Sequence, residues 1–450
     1  MRRRLFAQFG FAAVLLSAYC QAANDIRLID AVKDQNRKAV DALISEHVDV
    51  NAAQPDGATP LAWAVYLNQV ETADRLIKAG ANVNAADEYG ETPLTLACGI
   101  GSPTLIEKLL AAGADANAAR WNGETALMIA SRTGTVAGIK LLLAHGAKVD
   151  AVDSRKGQNA LMWAAAEGHS DVVDLLINSG ADVKLASVAG FTPLIFAAQK
   201  GDTHSVASLL AAGLDPNYLL PNKTSVLQVA VLGGKYPVAA LLIDKGANVN
   251  VADTSGNTPL HIASQAGNLE LVKSLLAKHA DPNARTEKLT IAGQGGGGGF
   301  FRGPTGEQTP LLMAARANHE SVMRALVAAG ADPKLKGQDG TTLLMAAASS
   351  GHVEVVKYAY ELDPNIHALT DRKSTVVHAA VTGSMQSSTQ PEICKVIQFL
   401  ADKGADLDAV DGRGRTPMTT ANTLPIDTAV TLLRKMIEAG GHTPKQAATR

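Results

Sequence analysis

The sequence is poor in aromatic residues and in cysteine, and each shortage constrains the fold. Aromatic residues make up 4% of the 450 positions. Burial must therefore rest on Ala, Leu, Ile and Val, which favours closely packed helices over a core of large rings. Beyond residue 22 the cysteines are Cys98 and Cys394, far apart in the chain and both in apolar helical contexts. We expect no disulfide between them and interpret both as small buried apolar side chains.

The chain also lacks a basic excess and an apolar run long enough to span a bilayer. Lys and Arg total 41 against 43 Asp and Glu. This balance argues against nucleic acid as a partner, because such binding is driven by clustered basic side chains. Residues 1–22 place three arginines before an apolar run that is shorter than the ~20 residues of a spanning helix. Small residues at Cys20 and Ala22 predict a signal peptide that is cut after Ala22.

An uncleaved membrane anchor and a lipoprotein processed at Cys20 are the alternatives to a cleaved leader. Gln8 interrupts the apolar run, and Tyr19 is bulky where lipid-modifying enzymes require a small residue. We therefore expect a protein of the periplasm or of the medium, from a bacterium of the Gram-negative type, with no membrane insertion after cleavage.

A unit of about 33 residues recurs along the chain. Its marker is Thr-Pro-Leu or a close variant, and successive markers are 33 or 34 residues apart except at two places. The markers begin at Thr59, Thr92, Thr125, Asn159, Thr192, Ser225, Thr258, Thr309, Thr342, Thr375 and Thr416. The two longer steps, 51 and 41, each equal one period plus an insertion. The array therefore continues through both of them.

Each marker predicts the start of a helix. The Thr or Ser oxygen can cap free amides of the first turn, and the proline that follows has its φ already fixed. A Gly or Asn about nine residues later predicts a turn into a second helix. That helix carries paired aliphatic residues such as Leu76 and Ile77, and it ends at a glycine such as Gly80. One helix pair buries a single face, so several pairs must stack to fold.

The most complete unit resembles the ankyrin repeat. Thr258-Pro259-Leu260-His261-Ile262-Ala263, the Gly267-Asn268 turn and Ala280-Asp281-Pro282-Asn283 follow that family's pattern, and similar units fill nearly the whole chain after residue 22. The resemblance implies an all-α solenoid of about twelve helix-turn-helix units with β-hairpin fingers. The first unit, starting near Ile26, would be a cap. Partners of such arrays usually bind the fingers and the concave inner helices.

The predicted organisation has three parts. A signal peptide occupies 1–22, the ankyrin repeat solenoid occupies 23–441 with a long glycine-rich insert at 287–308, and a flexible tail occupies 442–450. Because the repeat fills the middle part, we expect no separate catalytic domain within it.

The insert contains the run GQGGGGGFFRGP at 293–304, which satisfies the G-x-G-x-x-G spacing of a dinucleotide cradle. That motif counts only between a strand and a helix of one βαβ unit, and here it follows the end of a repeat. We therefore expect no dinucleotide site. Either the insert is a hinge whose Phe300 and Phe301 fold back onto neighbouring helices, or Phe300, Phe301 and Arg302 form a tip that grips a partner.

Aromatic residues also stand at several finger positions, where small polar residues would serve solubility better. They are Tyr89, Trp121, Phe191 and Tyr218. Together with Phe300, Phe301 and Arg302, they are the predicted partner-binding residues. Three other aromatic residues share the inner-helix position four after the marker Thr, and we interpret them as packing residues. They are Trp63, Trp163 and Phe196.

No grouping of catalytic or metal-binding residues is present in the sequence. Histidines such as His261 and His378 fall at structural positions of the repeat, and neither H-E-x-x-H nor C-x-x-C occurs. Residues such as Asn250 at the repeat ends are interpreted as local turn residues. We predict a monomeric, non-enzymatic scaffold for another protein, without cofactor, metal or catalytic residue. Two alternatives stay open: a secreted effector acting on a host protein, and a hydrolase or small-ligand site near the insert.

Overall fold

The computed structural model describes residues 25–289, 306–383 and 389–445. These ranges contain 24 helices, and no β-strand occurs in them. The predicted leader, the glycine run and the end of the tail from 446 on lie outside the described residues. Within those ranges the all-α prediction is confirmed.

The helices form two compact blocks, one up to Leu214 and one from Asp215. Each block contains six helix pairs, so the prediction of about twelve units is confirmed. The first block contains α1 Arg27–Lys33, α2 Arg37–Ser45, α3 Pro60–Tyr66, α4 Val70–Lys78, α5 Pro93–Gly99, α6 Pro103–Ala111, α7 Ala126–Thr133, α8 Val136–Ala144, α9 Ala160–Glu167, α10 Ser170–Asn178, α11 Pro193–Lys200 and α12 Thr203–Ala211. The second block contains α13 Val226–Leu232, α14 Tyr236–Asp244, α15 Pro259–Ala266, α16 Leu269–Ala277, α17 Pro310–Arg316, α18 Glu320–Ala328, α19 Leu343–Ser349, α20 Val353–Leu362, α21 Val376–Gly383, α22 Gln390–Asp402, α23 Pro417–Ala421 and α24 Asp427–Ala439. Repeats are numbered by these pairs from 1 to 12, and each finger takes the number of the repeat that follows it.

First helices begin one residue after the marker, as predicted. The Thr59 hydroxyl accepts the amide of Ala62 at 3.2 Å, and Asn159 does the same through Oδ1 with Met162 at 3.0 Å. Thr192 makes no such bond, and its helix starts from the fixed φ of the proline alone. Capping is therefore common to most markers and is not needed at every one.

Most second helices end two residues before a glycine in the left-handed region. In repeat 2 the amide of Gly80 donates to Ile77 at 3.0 Å with φ at +90°. A residue with a Cβ would be strained at such a φ, which is why glycine ends most of the repeats. The sequence predicted these helix ends.

The core of each block consists of small and branched side chains. Leu61 and Ala64 on α3 and Leu76 on α4 are fully buried, and their counterparts in the following repeats are buried in the same way. Within a block, each first helix packs against its own second helix and against the first helices of adjacent repeats. Alanines at this contact let the helices approach closely, as the composition predicted.

Asparagine side chains bond consecutive repeats to one another. Asn84 Nδ2 donates to the carbonyl of Gly113 at 3.1 Å, and Asn84 Oδ1 accepts the amide of Asp115 at 2.8 Å. The same pair of bonds recurs at Asn51, Asn117, Asn217, Asn250 and Asn283. The interpretation of Asn250 as a local turn residue is therefore too narrow, since its side chain satisfies backbone groups of the next repeat.

The fingers are tight turns, whereas the resemblance implies β-hairpins. In finger 3 the amide of Asp87 donates to Glu91 at 3.1 Å, and the amide of Gly90 donates to Asp87 at 3.0 Å. The extended pairing in the described fingers is limited to isolated bridges such as Ala119 with Thr125. Too few residues lie on either side of the turn to continue a ladder.

One backbone bond links most fingers to the next along a block. The amide of Glu88 donates to the carbonyl of Asp56 at 3.0 Å, and that of Trp121 to the carbonyl of Tyr89 at 3.0 Å. A Cβ on Gly90 would lie 2.9 Å from the Trp121 nitrogen, so the close approach of the fingers requires glycine here. This row of bonds, the finger ladder, fixes the spacing of the finger tips.

The long insert leaves and re-enters the array at a single finger. The Thr286 amide donates to the Gln308 carbonyl at 3.0 Å, and the Gln308 amide donates to Thr286 Oγ1 at 2.9 Å. The finger ladder also persists, because the Glu287 amide donates to Ser255 at 2.9 Å. The segment is thus an insertion that leaves the array intact, as its length predicted.

Lys223 stands where most fingers have glycine, and the sequence leaves the geometry of that finger open. Its φ is +63°, and its amide donates to Leu220 at 2.8 Å, which is the same turn as in finger 3. The lysine therefore adopts a left-handed conformation that disfavours a residue with a Cβ.

Replacing Lys223 by glycine should stabilise the protein by about 0.5–1 kcal/mol, because relief of the left-handed strain exceeds the added chain entropy of glycine. Lys245 is the matched control, since it is exposed but has an ordinary φ of −84°. Urea unfolding followed by circular dichroism should give a higher midpoint for Lys223→Gly and a lower one for Lys245→Gly. Equal shifts of the urea midpoint in the two variants would contradict backbone strain at Lys223.

His261 and His378 are structural hydrogen-bonding residues, as predicted. Each Nδ1 accepts the marker amide at 3.2 Å, and each Nε2 donates to the carbonyl that precedes the next marker, on Gln308 and on Arg415. Burial lowers the pKa of both rings below the ordinary 6.5. Gln228 makes the same two kinds of bond in repeat 7 without a titratable group.

His261→Gln should make the stability less dependent on pH below neutrality. The ring is neutral in the folded state, so its contribution is complete above about pH 6.5 and is lost as the pH falls, because the unfolded chain takes up the proton first. Urea midpoints at pH 7.5 and 5.5 should differ less in the variant than in the parent protein. An unchanged difference would exclude His261 as a source of the acid sensitivity.

Candidate functional site

The finger tips of the first block expose two large aromatic side chains. Tyr89 is 57% exposed and Trp121 is 68% exposed. The ladder bond between their backbones places them on neighbouring tips. The Tyr89 hydroxyl bonds to Glu88, whose carboxylate raises the pKa of the phenol. Two predicted partner-binding residues thus lie side by side and largely in solvent.

A third tip carries an apolar residue that the sequence analysis missed. Val188 is 82% exposed, and its amide donates to the Lys156 carbonyl at 2.8 Å in the same ladder. Val188 occupies the same finger position as Trp121, two repeats further on. A comparison of that position across repeats would have identified it.

The other predicted residues are placed differently. Phe191 is half-buried, and its ring lies 5.6 Å from that of Phe196 in an edge contact, so it faces the first helix of its own repeat. Tyr218 is half-buried in the second block. The residues predicted in the insert lie outside the described part of the chain. They are Phe300, Phe301 and Arg302.

The inner-helix aromatics are half-buried, which the packing interpretation did not foresee. Trp63 donates through Nε1 to Gln54 at 3.0 Å, and its ring meets that of Tyr66 at 5.7 Å, edge to face. Trp163 occupies the same position three repeats later, and the Arg132 guanidinium lies over its ring at 5.1 Å. These rings are held in place by neighbours and still offer part of their surface.

A concave pocket of about 150 Å³ lies between repeats 2 and 3. Its lining combines aromatic and small apolar residues with two carboxylates: Gly57, Ala58, Ala62, Trp63, Tyr66, Ala85, Asp87, Glu91 and Leu96. Tyr66 is 57% exposed at its edge, and the sequence analysis had not selected it. The pocket thus connects the first helices with the base of the fingers.

The two fingers that line this pocket carry negative charge. The fingers at 51–58 and 84–91 contain four acidic residues and no Lys or Arg. Arg120, from the following finger, donates to Glu91 at 2.8 Å and to Glu124 at 3.0 Å. Burial disfavours the charged guanidinium, but the two carboxylates outweigh it and raise the pKa of Arg120. Its charge is therefore neutralised within the fold.

Metal-binding clusters and activated thiols are two kinds of reactive group that could give the described residues a chemical role. No group of three or more His, Cys, Asp or Glu that could hold a metal occurs in those ranges. Both thiols are free, and burial raises the pKa of Cys98 to about 12, which removes it as a nucleophile at neutral pH. No helix among them is long and apolar enough to span a bilayer.

A family model described as "Ankyrin repeats (3 copies)" matches residues 28–120, 98–187, 192–286 and 300–369. The chain belongs to the ankyrin repeat family. Ankyrin repeats in general are protein–protein interaction modules. The pocket and the exposed tips of the first block lie on the fingers and first helices of this ankyrin array.

Curated relatives that match part of this chain are longer proteins. The chain is 28% identical over 276 residues to the E3 ubiquitin-protein ligase KEG of Arabidopsis thaliana, which covers 59% of this chain and 16% of that protein. It is 31% identical over 266 residues to the ankyrin repeat and KH domain-containing protein mask-1 of Caenorhabditis elegans, 55% of this chain and 10% of that protein. The matched part is therefore less than two thirds of either relative.

Among solved structures, the ankyrin repeat domain of Bcl-3, described as a unique member of the IkappaB protein family, is similar in sequence. It is 31% identical, and the alignment covers 46% of this chain and 94% of that domain with a TM-score of 0.41.

Proposed function

We propose that this ankyrin array is a non-catalytic scaffold that binds another protein across the fingers and first helices of its first block. The observation that carries the proposal is the exposure of Tyr89 and Trp121 on adjacent finger tips. Tyrosine and tryptophan are enriched among the residues that dominate binding energy. In a chain with 4% aromatic residues, such exposed rings are a costly surface unless a partner covers them.

The distribution of tryptophan supports the same face. The chain contains three tryptophans, and all of them lie on fingers or first helices of the first block. They are Trp63, Trp121 and Trp163. None lies on a second helix. The finger ladder holds the tips in register before a partner arrives, which lowers the ordering cost of association.

The proposed function is tested by substituting the exposed tips. The double variant Tyr89→Ala with Trp121→Ala should weaken partner binding about tenfold or more, because the two rings are the exposed aromatic residues of the first-block tips. Binding partners would be captured from an envelope extract, identified by mass spectrometry and measured by titration with purified protein.

Lys140→Ala on the second helix α8 is the matched control, since this lysine is exposed on the other helix layer. It should bind like the parent protein. Equal affinity of the double variant and the parent, with both folded by circular dichroism, would exclude this face.

We also propose that the protein is exported with a cleaved leader. The support is the arginine-rich start, the short apolar run and the small residues Cys20 and Ala22. Expression in a Gram-negative host should yield a periplasmic or secreted protein whose first residue is Ala23. Lipid modification at Cys20 would instead place it in the membrane fraction, and an intact chain in the cytoplasm would contradict export.

A further inference from the structure

The pocket between repeats 2 and 3 has two rigid aromatic walls. The rings of Trp63 and Tyr66 meet at 88°, and Leu96 of the next repeat closes the third side. Gly57 and Ala58, with little or no side chain, keep the finger side open. Such a pocket can take one side chain from an extended segment that lies along the array.

One wall of the pocket carries a carboxylate whose charge the fold does not neutralise. Asp87 Oδ1 accepts the amides of Tyr89 and Glu91, both at 2.8 Å, and so shapes the finger turn. Asp87 Oδ2 has no partner among the described residues, and no described basic residue pairs with Asp87. The second lining carboxylate, Glu91, is already held by Arg120. The pocket therefore presents one unpaired acceptor beside aromatic rings.

Within the chain, basic side chains already lie over two aromatic rings of the first helices. The Lys33 ammonium lies 4.5 Å from the centre of the Trp63 ring, and Arg132 lies over Trp163. In both contacts the cation stands seven residues after a repeat start and covers the aromatic ring of the next repeat. Tyr66 occupies that position in repeat 2, so the chain places no basic residue there, and the Lys33 ammonium over Trp63 borders the pocket from repeat 1.

We infer that this pocket receives an arginine side chain from the partner protein, and this inference rests on the proposed function. A guanidinium is planar, stacks on aromatic faces and donates to a carboxylate in the same plane, which matches the rings and Asp87 together. An apolar occupant would bury the Asp87 charge without compensation. A lysine would satisfy the charge but would stack less well on the rings.

The test uses short blocked peptides as probes and Trp63 as the reporter. The double variant Trp121→Phe with Trp163→Phe leaves Trp63 as the sole tryptophan, and Phe196 shows that phenylalanine is accepted at the Trp163 position. The probes are acetyl-Ala-Ala-Arg-Ala-Ala-amide and its twins with citrulline or lysine at the centre. Citrulline has the shape of arginine without its charge.

The arginine peptide should bind about tenfold more tightly than the citrulline peptide, with lysine between them, and the preference should decrease as salt is raised. Asp87→Asn keeps the turn acceptor and should reduce the arginine preference to less than about twofold. Asp253→Asn is the matched control, because Asp253 Oδ1 makes the same two turn bonds, with Ser255 and Asn257, in the second block. It should leave the preference unchanged.

Three results would overturn the inference: equal binding of the arginine and citrulline peptides, equal effects of Asp87→Asn and Asp253→Asn, or no response of Trp63. Tyr66→Ala gives a second check, since this exposed side chain can be removed without opening the core, and it should weaken the arginine peptide specifically. Partner binding that still depends on Trp121 would then leave the proposed function intact. If the arginine preference were absent and partner binding did not depend on Trp121, the inference and the proposed function would both be refuted.

Discussion

The structure depends on one recurring interaction: at six junctions between repeats, an asparagine side chain bonds the backbone of the repeat that follows. The Gly113 carbonyl is bonded by Asn84 from the preceding turn, and the same asparagine accepts the amide of Asp115. Free groups at helix ends are costly when they are buried without a partner. Because a single side chain makes both bonds across the junction, stacking satisfies these backbone groups at the six asparagine junctions, and the aliphatic faces are covered in the same step.

A second set of bonds between repeats separates stability from recognition. The finger ladder uses backbone atoms alone, as between Trp121 and Tyr89, so the side chains at the tips are not needed to hold the fingers together. A tip residue can therefore be changed with little effect on the array, and the tips in this chain carry tyrosine, tryptophan and valine. On the first helices the separation is less complete, because Trp63 both bonds to its own finger and lines the pocket.

Much of this fold could be predicted from the sequence, because its signals are local. A hydroxyl at the marker, a proline after it and a glycine at the end act within one turn of helix, so helix starts, helix ends and the number of pairs followed directly. The exposure of a side chain could not be predicted in this way, because it depends on contacts between elements. Phe191 occupies a finger position but packs against Phe196, whereas Tyr66 and Val188 are exposed.

The acidic fingers make the pocket between repeats 2 and 3 different from the other grooves of the stack. At Trp63 and Trp163 the chain places a cation of its own over the ring. In repeat 2 Tyr66 occupies the position from which that cation comes, and two carboxylates line the pocket beside it. One of them, Glu91, is held by Arg120, which leaves Asp87 to act outward. A repeat array offers many equivalent grooves, and a single unpaired carboxylate beside two rings makes one of them chemically distinct from its neighbours.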